Sequence, residues 1–161
     1  MKRKIVIFLF SLLVIFILLI LNISVAKPTS QLFYNLKRLY EKTQLNLKST
    51  PKDKLSYQYE LLDKRLVELL FIVNRGASSY VLTSSLRYST TAGEITELIV
   101  NNNLKDESQL TRKKFETHFL IVKDLSQKKS NIGDEAKYVT DDLNYLRIYI
   151  DKLSLFENAA N

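Results

Sequence analysis

Residues 51–76 read PKDKLSYQYELLDKRLVELLFIVNRG. Leu55, Tyr59, Leu62, Leu66, Leu69 and Val73 recur there in alternating steps of four and three, which puts them in one stripe along an α-helix. The helix is bracketed by its own signals. Thr50 is placed to cap its first turn, and Pro51 suits the first helical position, where a missing N–H does no harm. Gly76 suits the residue just past its end, with Arg75 complementing the helix dipole.

Toward the C-terminus the same logic repeats. A third segment runs from about Ser78 to Asn101, with Val81, Ser85, Tyr88, Ala92, Ile95 and Ile99 on a narrow stripe. Between Ser78 and Thr91, eight of fourteen residues are Ser or Thr, so this helix either packs closely through small side chains or presents a polar groove. Gly93 weakens it by about 1 kcal/mol relative to Ala. After the Asn101-Asn102-Asn103 turn, Asp106 is the expected cap of a fourth helix lined by Thr111, Phe115, His118, Val122 and Leu125. Asn131 to Gly133 turns the chain into a fifth helix, striped by Ala136, Val139, Leu143, Leu146, Ile150 and Leu153.

Toward the N-terminus, Leu32, Leu36 and Leu39, flanked by Phe33, Tyr40 and Leu47, predict a first helix over about residues 30–48, with Ser30 as its cap. Before it, Met1-Lys2-Arg3-Lys4 leads into an apolar run from Ile5 to Leu21, broken only by Ser11. Extended to Ala26 it makes a helix of roughly 33 Å, enough to cross a hydrocarbon core about 30 Å thick. The basic tip stays on the cytoplasmic side and the rest lies outside. Ser24-Val25-Ala26 also fits signal peptidase, so cleavage after Ala26 is the competing expectation, giving a secreted or periplasmic domain.

The 161 residues suit one domain, and their three Gly and two Pro suit long helices. Lys+Arg number 24 against 17 Asp+Glu, a net charge of +7. Without the three cations at positions 2–4, 21 against 17 leaves +4. That suits anionic headgroups or wall polymer and is too weak for nucleic acid. The absence of cysteine excludes disulfides, thiolate metal sites, a cysteine nucleophile and a lipidated cysteine.

Leu32-Phe33-Tyr34-Asn35-Leu36-Lys37-Arg38 is followed by Glu41-Lys42 and Leu45, then Pro51, Lys54-Leu55, Leu61 and Arg65-Leu66-Val67-Glu68. Residues 32–68 thereby resemble a bacterial family of extracytoplasmic helical domains, described only as a domain of unknown function. Its members open with a Tyr-Pro-Leu-Lys-Arg-like motif after a membrane or signal segment, then start a second helix with Pro and carry an Arg-Leu-x-Glu pattern. Here Asn35 stands in the motif's Pro position. The resemblance implies location and fold, and no chemistry.

Several residues are candidates for contact. Lys37 and Glu41 are an i,i+4 pair, and Arg38 and Arg65 lie near them in the motif, with Glu68 as a partner for Arg38 if the first two helices pack antiparallel. They serve either a structural salt bridge or a partner. Tyr138, Tyr145 and Tyr149 border one side of the fifth helix and either seal the core or form a binding face. His118, the single histidine, lies on an apolar stripe and reads as a core residue; no Glu-x-x-His spacing accompanies it. Asp134-Glu135 suits a helix start, and the adjacent Asp141-Asp142 diverge by about 100° on a helix, which disfavours paired-carboxylate catalysis. No phosphate loop, nucleophile elbow or triad occurs.

The sequence therefore predicts an all-α protein, with an N-terminal transmembrane helix followed by an antiparallel up-down bundle of four to five helices. Its parts are a cytoplasmic basic tip, 1–4, a transmembrane anchor or signal peptide, 5–26, and an extracytoplasmic bundle, 27–161. The expected role is a membrane-tethered interaction module for an envelope protein or anionic wall polymer. The alternative is a small-ligand sensor working with a partner protein. Catalytic residues, cofactors, metals and nucleic acid are not expected.

Overall fold

A computed structural model describes residues 31–128 and 131–159. The predicted basic tip, the apolar segment 5–26, the cleavage point after Ala26 and the Ser30 cap lie outside the described residues. Among the described residues, no helix is long and apolar enough to cross a membrane.

The described chain is all-helical: α1 (Gln31–Asn46), α2 (Pro51–Asn74), α3 (Val81–Asn101), α4 (Lys105–Ser126) and α5 (Ala136–Asn158), with 3-10 turns at Ser78–Tyr80 and Gly133–Glu135. It divides into two compact units, Met1–Gln44 and Leu45–Asn161. Most of α1 belongs to the first unit. The second holds the bundle α2–α5.

The helix ends follow local chemistry. The Thr50 hydroxyl accepts from the Asp53 amide at 3.1 Å, and Pro51 occupies the first helical position of α2. At the other end Ala77 N–H returns to Ile72 O and Gly76 N–H to Val73 O, both at 3.1 Å. That double closure needs a left-handed residue, and Gly76 supplies it at φ 65°. α3 ends the same way, with Leu104 N–H on Ile99 O and Asn103 N–H on Val100 O. There Asn103 takes the left-handed position at φ 52°, a conformation that asparagine tolerates. Asp106, expected as the cap of α4, instead lies inside its first turn, where its charge still opposes the dipole.

Cross-links between helices fix their directions. Gln58 meets Glu94, and Arg65 meets the Arg87 carbonyl, so α2 and α3 run antiparallel. Arg112 pairs with Glu157 while Arg147 lies over the Phe119 ring, so α4 and α5 are antiparallel too. Ser85 reaches the Tyr138 carbonyl at one end of α3 and Glu97 meets Lys152 at the other, which makes α3 and α5 parallel. The closest-packed pairs are α2–α3, α4–α5 and α3–α5.

The predicted stripes of α2 to α5 form the core. Leu62, Leu69, Ile72, Ile95, Phe115, Val122 and Leu153 are all fully buried, each stabilising the fold by about 1.5–3 kcal/mol. The small residues of α3 pack rather than line a groove, since Ser84, Ser85, Ser89, Thr91 and Thr96 are buried. Three of their hydroxyls are satisfied within the helix: Ser89 donates to Ser85 O, Thr91 to Arg87 O and Thr96 to Ala92 O. Gly93 lets α5 come close, because a Cβ there would stand 2.8 Å from the Tyr149 hydroxyl.

α1 departs from expectation. Leu36 and Leu39 were read as part of a core stripe, yet they are 47% and 63% exposed, whereas Lys37 and Glu41 are buried. Periodicity identifies an apolar face without saying what that face meets.

Candidate functional site

The titratable groups inside the bundle gather between α2, α3, α4 and α5. His118 lies on the predicted stripe of α4 and is buried. Its Nε2 is 3.1 Å from Asp63 Oδ1 on α2, and its Nδ1 is 3.0 Å from the Tyr88 hydroxyl on α3. A neutral imidazole satisfies both contacts in one tautomer, with Nε2–H donating to the carboxylate and Nδ1 accepting from the phenol. Burial pulls the His118 pKa below its usual value, against the opposing effect of Asp63, and nearby Lys114 adds to the fall. Lys114 also pairs with Asp63 at 2.7 Å. The row Asp63–His118–Tyr88 thus runs from an exposed carboxylate to a phenol with no solvent exposure.

This row resembles a relay that activates a nucleophile, but its inner end is wrong for that work. The Tyr88 pKa is pushed well up by burial, with the Asp142 and Asp63 charges adding to the rise. A fully buried phenol that holds its proton cannot attack a substrate from solution.

Asp142 is the second buried group. It is 1% exposed, and neither carboxyl oxygen has a hydrogen-bond partner in the described structure. Ser85 and Ser89 are its neighbours on α3, but their protons go elsewhere, Ser85 to Tyr138 O and Ser89 to Ser85 O. Burial raises the Asp142 pKa from 3.8 to about 8; the two serine hydroxyls pull it back in part, and Asp141 adds to the rise. Burial therefore favours the protonated form of Asp142 at neutral pH.

The sequence alone presents Asp142 as half of a diverging pair. The divergence is real, with Asp141 exposed and Asp142 buried. The missed signal was register: Asp142 lies three residues after Val139 and four before Leu146, on the core stripe. Asp63 carried no such signal, since it joins the row only through tertiary packing.

The other sequence candidates fall in different places. On α1, Lys37 and Glu41 are buried and Arg38 is exposed. On α2, Glu68 pairs with Arg87 at 3.4 Å, both largely buried, and Arg65 donates to the Arg87 carbonyl at 3.1 Å. Arg87 was not among the sequence candidates, and it draws Arg65 and Glu68 into one α2–α3 clamp. On α5, Tyr145 and Tyr149 stack with centroids 6.3 Å apart. Tyr149 is half-buried against α3, Tyr145 is 45% exposed, and Tyr138 is half-buried beneath Lys137. Sealing and exposure thus divide among the three.

Around Tyr149 an open groove of about 650 Å³ is lined by Gln58, Thr90, Glu94, Glu97 and Leu98. Glu94 already accepts from Gln58, and Glu97 is paired with Lys152. Among the described residues, no three His, Asp or Glu side chains are placed to hold a metal ion.

Fold and site together define a small helical bundle with its ionisable groups locked inside. The chain belongs to the DUF5667 family, a domain of unknown function, whose model matches residues 28–145. The match takes in α1 to α4 and the first part of α5, and so includes Asp63, Tyr88, His118 and Asp142. No curated protein and no solved structure matches the chain.

Proposed function

We propose that this chain is a membrane-tethered extracytoplasmic interaction module, held by a transmembrane helix over residues 5–26 and acting by binding rather than catalysis. Its partner is an envelope protein or an anionic wall polymer. The observation that carries the reading is the outward apolar face of α1, where Leu36, Leu39 and Tyr40 are 47%, 63% and 39% exposed. Such a face on a monomer marks a contact surface. It begins 15 residues after the last residue of the apolar run Ile5–Leu21, so a membrane anchor keeps it near the bilayer, within reach of other envelope proteins. The excess of basic residues beyond position 26 suits an anionic polymer as well.

A second reading, a small-ligand sensor working with a partner protein, draws on the groove beside Tyr149. Its openness, and the pairing of both its glutamates, leave it behind the first.

Intact mass of the native protein from washed membranes, with the soluble fraction alongside, tests the anchor. A full-length mass in the membranes is expected. A mass beginning at Lys27 in the soluble fraction would replace the anchor with an exported domain. Photo-crosslinkers at Leu39 and Lys42 then test the face: a discrete adduct from Leu39 alone is expected, and equal labelling from both positions overturns it.

A further inference from the structure

We propose that the seam between α3 and α5 is a proton-binding site: Asp142 holds a proton while α5 is seated against α3, and losing that proton loosens the seam. This goes beyond the interaction reading and does not depend on it.

The argument begins with unsatisfied chemistry. Both Asp142 oxygens are buried without a hydrogen bond, as is the Ser84 hydroxyl of α3. A carboxylate left in that state costs several kcal/mol, whereas a carboxylic acid is neutral and brings a donor of its own. The neighbourhood is matched to a donor. Ser85 and Ser89 have committed their protons to backbone carbonyls, which leaves their oxygens as acceptors. A protonated Asp142 can donate to either one, whereas an ionised Asp142 must draw a serine proton away from the carbonyl that it now serves.

The other groups around it offer no counter-charge. Tyr88 on α3 holds its proton because of burial, and Tyr149 on α5 is likewise raised by burial, with Tyr145, Glu97 and Asp142 adding. Asp141, the next residue on α5, repels a second negative charge. From α4, His118 is held toward its neutral form by burial, and the Asp63 carboxylate of α2 lies at the far end of the same row. Burial and the neighbouring charges thus favour the neutral acid, against the partial pull of the two α3 serines.

Ionisation can be relieved by admitting water, and the place to admit it is where α5 rests on small residues. Gly93 lies against the Tyr149 ring, and Ser85 holds the Tyr138 carbonyl at 2.9 Å. A modest outward shift of α5 at these small residues hydrates Asp142 without unfolding α2 and α4.

The test is a comparison of the full chain with Asp142→Asn, which keeps the shape and the donor and removes the titration. Above pH 6.5, where His118 no longer titrates against it, the wild-type melting temperature should fall up to about pH 8 by up to about 4 °C per unit, and that of Asp142→Asn should stay nearly level. Hydrogen exchange, corrected for intrinsic rates, should show α5 amides opening at pH 9 in the wild type alone. Equal slopes and equal exchange in the two proteins overturn the proposal. If Asp142→Asn does not fold, a carbon-13 titration of the wild-type side-chain carboxyls decides. A midpoint near 8 supports the site, and ionisation of every carboxyl below about pH 5 overturns it.

Discussion

α1 carries Leu36, Leu39 and Tyr40 on a face turned to solvent, while α3 carries Ser84, Ser85, Ser89, Thr91 and Thr96 on a face turned to the core. Chemistry and burial are inverted between the two helices. In α3 the inversion costs little, because most of these hydroxyls bond within the helix or to α5 and their small size brings α5 close. In α1 no such local remedy exists for a leucine in water, which is why its face is read as a contact surface. Burial is thus decided by which partner is near and how much room it leaves.

The largest test of this contrast is a charge placed in the core. Leu146→Asp, at a site 1% exposed, should abolish cooperative melting, a loss on the order of 5 kcal/mol. Retained helicity and a cooperative melt would sink the bundle assignment. Next comes the acid already in the core. Asp142→Asn should be about 2–4 kcal/mol more favourable at pH 9 than at pH 5, measured by denaturant titration. The sign follows from the raised pKa. Between the ordinary carboxyl value and about 8, the folded state keeps a proton that the unfolded state has released, so stability drains away as pH rises. His118 acts in the opposite sense. Its lowered pKa means the unfolded chain binds the proton first, so its contribution is lost as pH drops below about 6.5; there the two slopes oppose each other, and the wild-type curve should flatten below 6.5 and fall from 6.5 to about 8.

Smaller effects sharpen the picture. Tyr88→Phe should cost about 1–2 kcal/mol and raise the His118 pKa, seen by NMR, since it removes a donor that favours the neutral ring. An unmoved His118 would break the proposed row. Gly93→Ala should destabilise by about 1 kcal/mol, because the new methyl meets Tyr149. In a Tyr149→Ala background the same change should stabilise by up to about 1 kcal/mol through helix propensity. Smallest of all, Leu36→Asp on the exposed face of α1 should shift stability by no more than about 0.5 kcal/mol. A large loss there would show that the leucine is covered after all.

Most of the bundle could be read in advance. The stripes of α2, α3 and α4 were legible because their residues keep a regular step, even where the residue is Ser85, Thr111 or His118. The caps at Thr50 and Gly76 were legible because each answers a fixed backbone need. The interior polar row was not. Asp63, Tyr88 and His118 come from three helices, and nothing local marks them as neighbours. The outward turn of α1 was hidden for the opposite reason, since its pattern is that of a buried helix.

The wiring of the helices has a kinetic consequence. α2–α3 and α4–α5 are hairpins of adjacent segments, so each needs only a short loop to close and should form early. The α3–α5 seam joins residues separated by the whole of α4, and its closure waits until both hairpins exist. Docking of two preformed halves should then limit the folding rate, with the surface that carries Asp142 expected to form last in folding and to part first in unfolding.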